Sequence, residues 1–167
     1  FYDETELQEY IQKNEDDKLV VALAYLDNYE EALEGVEEVR RSLLIALIDR
    51  KITKYFSNFD GLVRKLERDK YFLIMRQSSL EALKEQRFHI LDEVKTVNIG
   101  NEMAVTLSIG IGLNGANYLQ NYEYCRIAIE MALGRGGDQA VIKEGDQTTF
   151  FGGKSTTVEK NTRAKAR

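Results

Sequence analysis

The run LVVALAYL, residues 19 to 26, constrains this chain more than any other segment. Eight apolar residues in a row, rich in Val and Leu, lack the alternation of a strand with one wet face, so the strand they form must be covered on both sides. It ends at Asp27-Asn28. From Glu30 onward Leu33, Val36, Val39, Leu43, Leu44, Leu47, Ile48, Ile52 and Tyr55 recur at three- and four-residue spacing, which predicts one long helix with a single apolar face, stopped by SNFDG. GLVRKL and YFLIM then read as two strands of a hairpin whose tip, ERDK at 67 to 70, is fully charged and carries none of the usual Gly or Asn.

A second helix is predicted over SSLEALKEQRFHILDEVKTV, with Ser78 and Ser79 as candidate caps and Glu81 completing a capping box. AVTLSIGIGL, 104 to 113, reads as a strand. NYLQNYEYCRIAIEMALGRGG reads as a third helix ending at Gly134 or Gly136, and QAVIKEG and TTFFGG as short strands joined by a turn at Glu144 to Asp146. The order β-α-β-β-α-β-α-β-β predicts an α+β fold: a ferredoxin-like, mainly antiparallel central sheet flanked by helices.

The 167 residues suffice for one domain plus tails. Hydrophobic residues at 43% and charged residues at 31% exclude a largely disordered chain, and the longest apolar runs, such as LLIALI at 43 to 48, fall short of the roughly 20 residues that span a bilayer. A single Cys125 and a single His89 exclude a disulfide framework and most zinc constellations and point to a reducing compartment. A chain that starts with Phe reads as cut from something longer. Residues 1–17, a short helix with seven acids against Lys13, and residues 152–167, with five bases against Glu159, are expected to be linkers on either side of a domain at 18–151. The basic end has no interleaved aromatic residues, so nucleic acid is not an expected partner.

Several motifs invite a chemical reading. GIGLNG at 110 to 115 fits a dinucleotide fingerprint, but such a fingerprint should open a parallel βαβ unit, typically the first of a series, with an acid about 20 residues on, and Glu130 is closer than that and mid-helix; close packing and a turn account better for its glycines. GGKS at 152 to 155 imitates a phosphate loop but has Thr148 where the leading Gly belongs. GRGGDQ at 134 to 139 reads as a helix end feeding a strand. His89, with no nucleophile at readable spacing, is expected to be a half-buried packing residue. Asp27 at the end of the first strand and Asp69 at the hairpin tip would project from one sheet edge if their strands are neighbours; two such carboxylates can hold Mg²⁺ and a nucleotide phosphate, the alternative being that both are solvated.

A strand ending in an acid, a long helix, a hairpin with an acidic tip and a later strand with SIG resemble the GGDEF domain of diguanylate cyclases over about Lys18 to Lys143. The family's D-x-D-x-F falls on Tyr25-Leu26-Asp27-Asn28-Tyr29, its G-G-D/E-E-F on Glu67-Arg68-Asp69-Lys70-Tyr71, and its T-x-S-I-G on Thr106-Leu107-Ser108-Ile109-Gly110. The resemblance implies a decayed signature: Tyr25 stands where the family's first metal carboxylate would be, Glu67 and Arg68 replace glycines, and the guanine-reading positions fall on Leu33 and Ser42. It therefore implies no diguanylate cyclase activity.

Y-L-D-N-Y, ERDKY, GRGGDQAVIK and FFGGKS together resemble the version of this domain in GdpP-type cyclic-di-AMP phosphodiesterases of Gram-positive bacteria. That resemblance implies the cytoplasmic domain of a bacterial cell-membrane protein, preceded by transmembrane helices and a PAS domain and followed by a Mn-dependent hydrolytic DHH-type domain. Two readings follow from it: a regulatory module acting as a homodimer, or a residual purine nucleotide site in which Asp27, Asn28, Arg68, Asp69 and Lys70 contact ATP or GTP and Asp27 and Asp69 hold Mg²⁺. A third is a scaffold for dimerisation alone, argued from the Leu- and Ile-rich helix faces.

Overall fold

Residue by residue, the computed structural model describes 18–152 except Glu102, together with Thr5, Glu6 and Glu9, which are helical. The remainder of the expected N-terminal helix, GGKS beyond Gly152 and the basic segment lie outside the described residues. LVVALAYL forms β1 (Leu19–Leu26), followed by α1 (Tyr29–Leu33), α2 (Glu38–Ser57), β2 (Leu62–Glu67) and β3 (Lys70–Arg76). Then come α3 (Gln77–Glu85), α4 (Ile90–Lys95), β4 (Leu107–Gly112), α5 (Tyr118–Gly134), β5 (Gln139–Glu144) and β6 (Gln147–Gly152).

The six strands form one sheet in the order β2-β3-β1-β4-β5-β6. Only β4 and β5 pair in parallel; the other four pairings are antiparallel. β1 lies in the interior of the sheet, and its side chains divide by the two-residue period of a strand. Val20, Ala22, Ala24 and Leu26 join the large core under α2, α3 and α4, with Leu44, Ile48, Ile52, Phe56, Leu80 and Leu83. Val21 and Leu23 face α5 with Cys125 and Ile129. Coverage on both faces is what an unbroken apolar strand requires.

Two expected helices are each divided. The helix expected from Glu30 to Tyr55 stops after Leu33: Glu34 is extended, Gly35 takes φ +79°, and α2 restarts at Glu38. Glycine adopts that left-handed conformation without steric cost. The helix expected from Ser78 begins instead at Gln77, with Arg76 at the N-cap and no capping hydrogen bond from any side chain. It breaks where Arg87 and Phe88 take φ +55° and +52°, which drops Phe88 wholly into the core.

The hairpin tip explains its missing glycine. Glu67 pairs with Lys70 around a two-residue loop, Arg68-Asp69, and the register shifts between Lys65 and Glu67. Neither loop residue has positive φ. The bulge absorbs the twist that a left-handed turn would otherwise supply, so side chains are tolerated there.

Candidate functional site

An open groove of about 1050 Å³ runs between α1, the first half of α2 and the hairpin tip. Tyr29, Leu33, Val36, Ile45 and Ala46 contribute apolar surface, and Glu30, Glu31, Glu34, Glu38 and Asp49 contribute carboxylates; Arg41, Ser42 and Arg68 complete the lining. The two positions expected to read a base, Leu33 and Ser42, do line it. Leu33 is buried and offers no hydrogen bond, and Ser42 offers a single hydroxyl. Arg41 turns its Nε to the Val36 carbonyl at 2.7 Å.

Of the five candidate nucleotide contacts, Arg68 alone lines this groove. Asp27 points elsewhere. Its Oδ2 accepts from the Thr106 hydroxyl at 2.8 Å and from the Asp138 backbone N–H at 2.9 Å, and its Oδ1 accepts from the Ser108 hydroxyl at 2.5 Å. The donors come from β4 (Ser108), from the residue before it (Thr106) and from the residue before β5 (Asp138), whereas Asp69 lies across β1 on the β3 side. Asn28 is engaged likewise: its amide donates to the Ala104 carbonyl at 2.8 Å and accepts from the Thr106 N–H at 3.1 Å, so it stitches the end of β1 to the entry of β4. Asp69 acts through its backbone, its carbonyl accepting from the Leu26 N–H at 2.8 Å. Lys70 pairs with Glu67 at 3.3 Å and sits 5.2 Å from the centre of the Tyr25 ring.

Both Asp27 oxygens are thus engaged from the β4 side, while the tip holds Asp69 by its backbone beside Leu26. Among the described residues no three acids, histidines or cysteines are grouped to hold a metal. Tyr25 occupies the place of a carboxylate with a phenol packed against Cys125 and Ile129; burial raises its hydroxyl pKa, although Lys70 pulls the other way. A protonated phenol is a weak ligand for a hard cation.

Sequence reasoning missed Asp49. It accepts from the hydroxyl of the fully buried Tyr71 and from Lys65 at 2.8 Å, tying α2 to the hairpin below the groove. Burial, then the Asp49 contact, pushes the Tyr71 hydroxyl well above the ordinary tyrosine range. Asp49 lies seven residues after Ser42, two turns on along the same face of α2, and that spacing was the available signal.

Asp138 also went unread. Its N–H serves Asp27, and its Oδ2 accepts from Lys95 at 2.8 Å; Oδ1 is buried without a partner among the described residues. Burial holds its carboxyl above the ordinary aspartate range, against the lowering pull of Lys95. The preceding Gly137 has φ +76°, and a Cβ there would lie 2.6 Å from the Asp27 carboxyl, so GRGGDQ is a helix end shaped around Asp27. GIGLNG is a packing device: a Cβ on Gly110 would lie 2.3 Å from the Ile129 nitrogen, and one on Gly112 would lie 2.0 Å from the Asn121 carbonyl. His89, expected to be half-buried, is instead exposed at the N-cap of α4, 3.7 Å from Asp92. Cys125 is buried and donates to the Gly110 carbonyl at 3.2 Å; burial raises its thiol pKa far above that of a reactive cysteine.

The model of the family described as "Cyclic-di-AMP phosphodiesterase GdpP-like, GGDEF domain" matches residues 24–150. The chain is 34% identical over 167 residues to the cyclic-di-AMP phosphodiesterase PdeA of Listeria monocytogenes, covering 99% of this chain and 25% of that protein. It is 32% identical over 168 residues to GdpP of Geobacillus thermodenitrificans, covering 100% of this chain and 26% of that one. The chain therefore spans about a quarter of the length of these curated relatives.

Among solved structures, the active GGEEF domain of a diguanylate cyclase from Vibrio cholerae superposes with a TM-score of 0.64 at 12% identity, over 81% of this chain and 89% of that one. A diguanylate cyclase/phosphodiesterase from Caldicellulosiruptor saccharolyticus gives 0.62 at 18%, over 89% and 96%. Likeness at these identities establishes the fold alone. No helix among the described residues is long and apolar enough to cross a membrane.

Proposed function

The chain belongs to the GGDEF-domain family of GdpP-like cyclic-di-AMP phosphodiesterases, and from that premise we propose that it is a regulatory module that has lost diguanylate cyclase activity. In this reading it passes a signal from upstream PAS-type sensing to a downstream DHH-type hydrolytic domain in a membrane-bound parent, with a homodimer as the working unit. The observation that carries the reading is the fate of Asp27. A carboxylate needed for a metal would keep lone pairs directed at the nucleotide; Asp27 spends both oxygens on Thr106, Ser108 and Asp138. Joining two nucleotides depends on in-line positioning and on cations that neutralise the reacting phosphates. A groove with Leu33 and Ser42 at its base-reading positions and five carboxylates against two guanidinium groups supplies neither.

The test uses the parent phosphodiesterase. Deleting this domain, or exchanging groove residues within it, should change the rate of cyclic-di-AMP hydrolysis while the hydrolytic domain stays folded; an unchanged rate in both variants rejects the regulatory role. The second reading, a residual purine nucleotide site holding Mg²⁺ with ATP or GTP, is supported by Arg68, a phosphate-binding residue type at the groove edge. Calorimetric titration of the domain with ATP and with GTP, each with and without Mg²⁺, separates the two. Heat that vanishes with Arg68→Ala supports the nucleotide site, and no heat at millimolar nucleotide rejects it.

A further inference from the structure

We propose that two copies of this chain pair by laying α5 of each across the uncovered part of the other's sheet, over β2 and β3. The sheet is covered unevenly. One face carries α2, α3 and α4; the other carries α5, which lies against β1, β4 and β5. Over β2 and β3 that second face holds no helix of the described residues, and Leu62 there is 72% exposed. Two strands span about 10 Å, the width of one helix. The uncovered lane takes one helix.

The lane is apolar and basic. Register sets Ile74 beside Val21 and Phe72 beside Leu23, so both share the α5 face, and Leu62 and Arg64 sit opposite them on β2. Phe72 borders α5, its ring centre 6.3 Å from that of Tyr122. Arg76, beside Leu19, continues the same face. Arg64 and Arg76 are exposed, and neither forms an ion pair among the described residues.

The solvent side of α5 is the complement. Leu119, Glu123, Ile127 and Glu130 follow the helical period and share one face, away from the buried Cys125, Ala128 and Ile129. Leu119 is 67% exposed and Ile127 44%. Glu123 and Glu130 are exposed and, like the two arginines, have no ion partner among the described residues. Two helical turns place these acids about 10 Å apart. Arg76 lies four residues along β3 from Phe72, the partner of Arg64, so the guanidinium groups start about 13 Å apart. Long side chains close that difference.

Neither surface fits itself: lane on lane sets arginine against arginine, and α5 on α5 sets glutamate against glutamate. Crossed contact pairs unlike charges, and a two-fold axis makes it twice. Because α5 lies beside its own lane, the two helices fill one layer between the two sheets, and the contact closes without leaving a surface that would propagate. This locates the homodimer of the proposed function and rests on that part of the reading, not on the loss of cyclase activity.

Sedimentation of the full chain over a concentration series tests the pairing with two charge-reversed variants, one carrying Glu123→Lys and Glu130→Lys, the other Arg64→Glu and Arg76→Glu. All four positions are exposed, so each variant should keep the melting temperature of the wild type. The wild type should double in mass as concentration rises. Each variant alone should associate at least about tenfold more weakly, because like charges then meet in both contacts. Mixed in equal amounts, the two variants should recover the doubled mass, since one contact is then reversed in both partners and the other is native in both; a single chain carrying all four changes should dimerise likewise. A wild-type dimer unmoved by either variant overturns this surface while the homodimer stands. A mixture that stays monomeric also overturns it, and a wild type monomeric at every concentration overturns surface and homodimer together.

Discussion

The seam between α5 and β4 and the groove beside α1 belong to one sheet but are built to opposite tolerances. At the seam, Gly110 and Gly112 let a helix backbone lie directly on a strand, and nothing larger than hydrogen fits. In the groove, exposed glutamates, a serine and an arginine face open solvent around 1050 Å³ of space. Packing of the first kind fixes the scaffold, whereas surface of the second kind can change its chemistry without disturbing it. That difference accounts for a chain that keeps a cyclase-like fold while, in the proposed reading, abandoning the cyclase reaction.

The contrast breaks first at the seam. Gly112→Ala places a methyl against a backbone carbonyl that cannot step aside, and should cost about 3 kcal/mol or more or prevent folding; a urea midpoint near that of the wild type refutes the packing account. Next, Asp27→Ala strands two hydroxyls and one N–H, and should cost about 2–4 kcal/mol, whereas Asp69→Ala, which leaves the backbone contact to Leu26 intact, should stay within about 0.5 kcal/mol. Equal losses from the two would mean that Asp27 is not the structural acid described here. A smaller effect is expected from Tyr71→Phe, which removes the hydroxyl shared with Asp49 and should lower stability by about 1 kcal/mol while sparing the sheet, as read by amide exchange in β1 and β4.

The mildest effect concerns pH. Because burial raises the Asp138 carboxyl in the folded state, its contribution to stability is present below the ordinary carboxylate value of about 3.9 and is lost as pH rises through the folded value. Asp138→Asn cannot ionise. The wild type should therefore lose stability relative to the variant as pH rises through that window; a difference of opposite slope in paired urea melts contradicts the assignment.

Much of the scaffold was legible because its signals are local. LVVALAYL has the composition of a doubly covered strand, and GIGLNG, although it leads from β4 through α5 to the parallel β5, reads as a packing motif because no acid stands at the distance dinucleotide binding needs. The division between α1 and α2 was hidden because the apolar period runs on through Val36 and Val39 past Gly35. That between α3 and α4 was hidden because Arg87 and Phe88 adopt left-handed φ with no Gly or Asn to mark it. At the candidate site, local reading placed Asp27 and Asp69 at the ends of neighbouring strands correctly, yet which way Asp27 turns depends on Thr106, Ser108 and Asp138, up to 111 residues away. Tertiary partners decide such a direction, and no spacing in the sequence encodes them. Leu33 and Ser42 came from extending the resemblance to the family without a gap, which no local pattern supplies; Asp49, two turns after Ser42 on the same face of α2, was findable from helical spacing.

The most direct measurement is product formation: purified protein incubated with GTP and an excess of Mg²⁺ or Mn²⁺, with cyclic dinucleotide followed by chromatography and mass detection. The account predicts none above the no-protein control, for the wild type and for Asp27→Ala alike. Cyclic di-GMP that accumulates in proportion to protein and disappears with Asp27→Ala in a variant shown to be folded would contradict it.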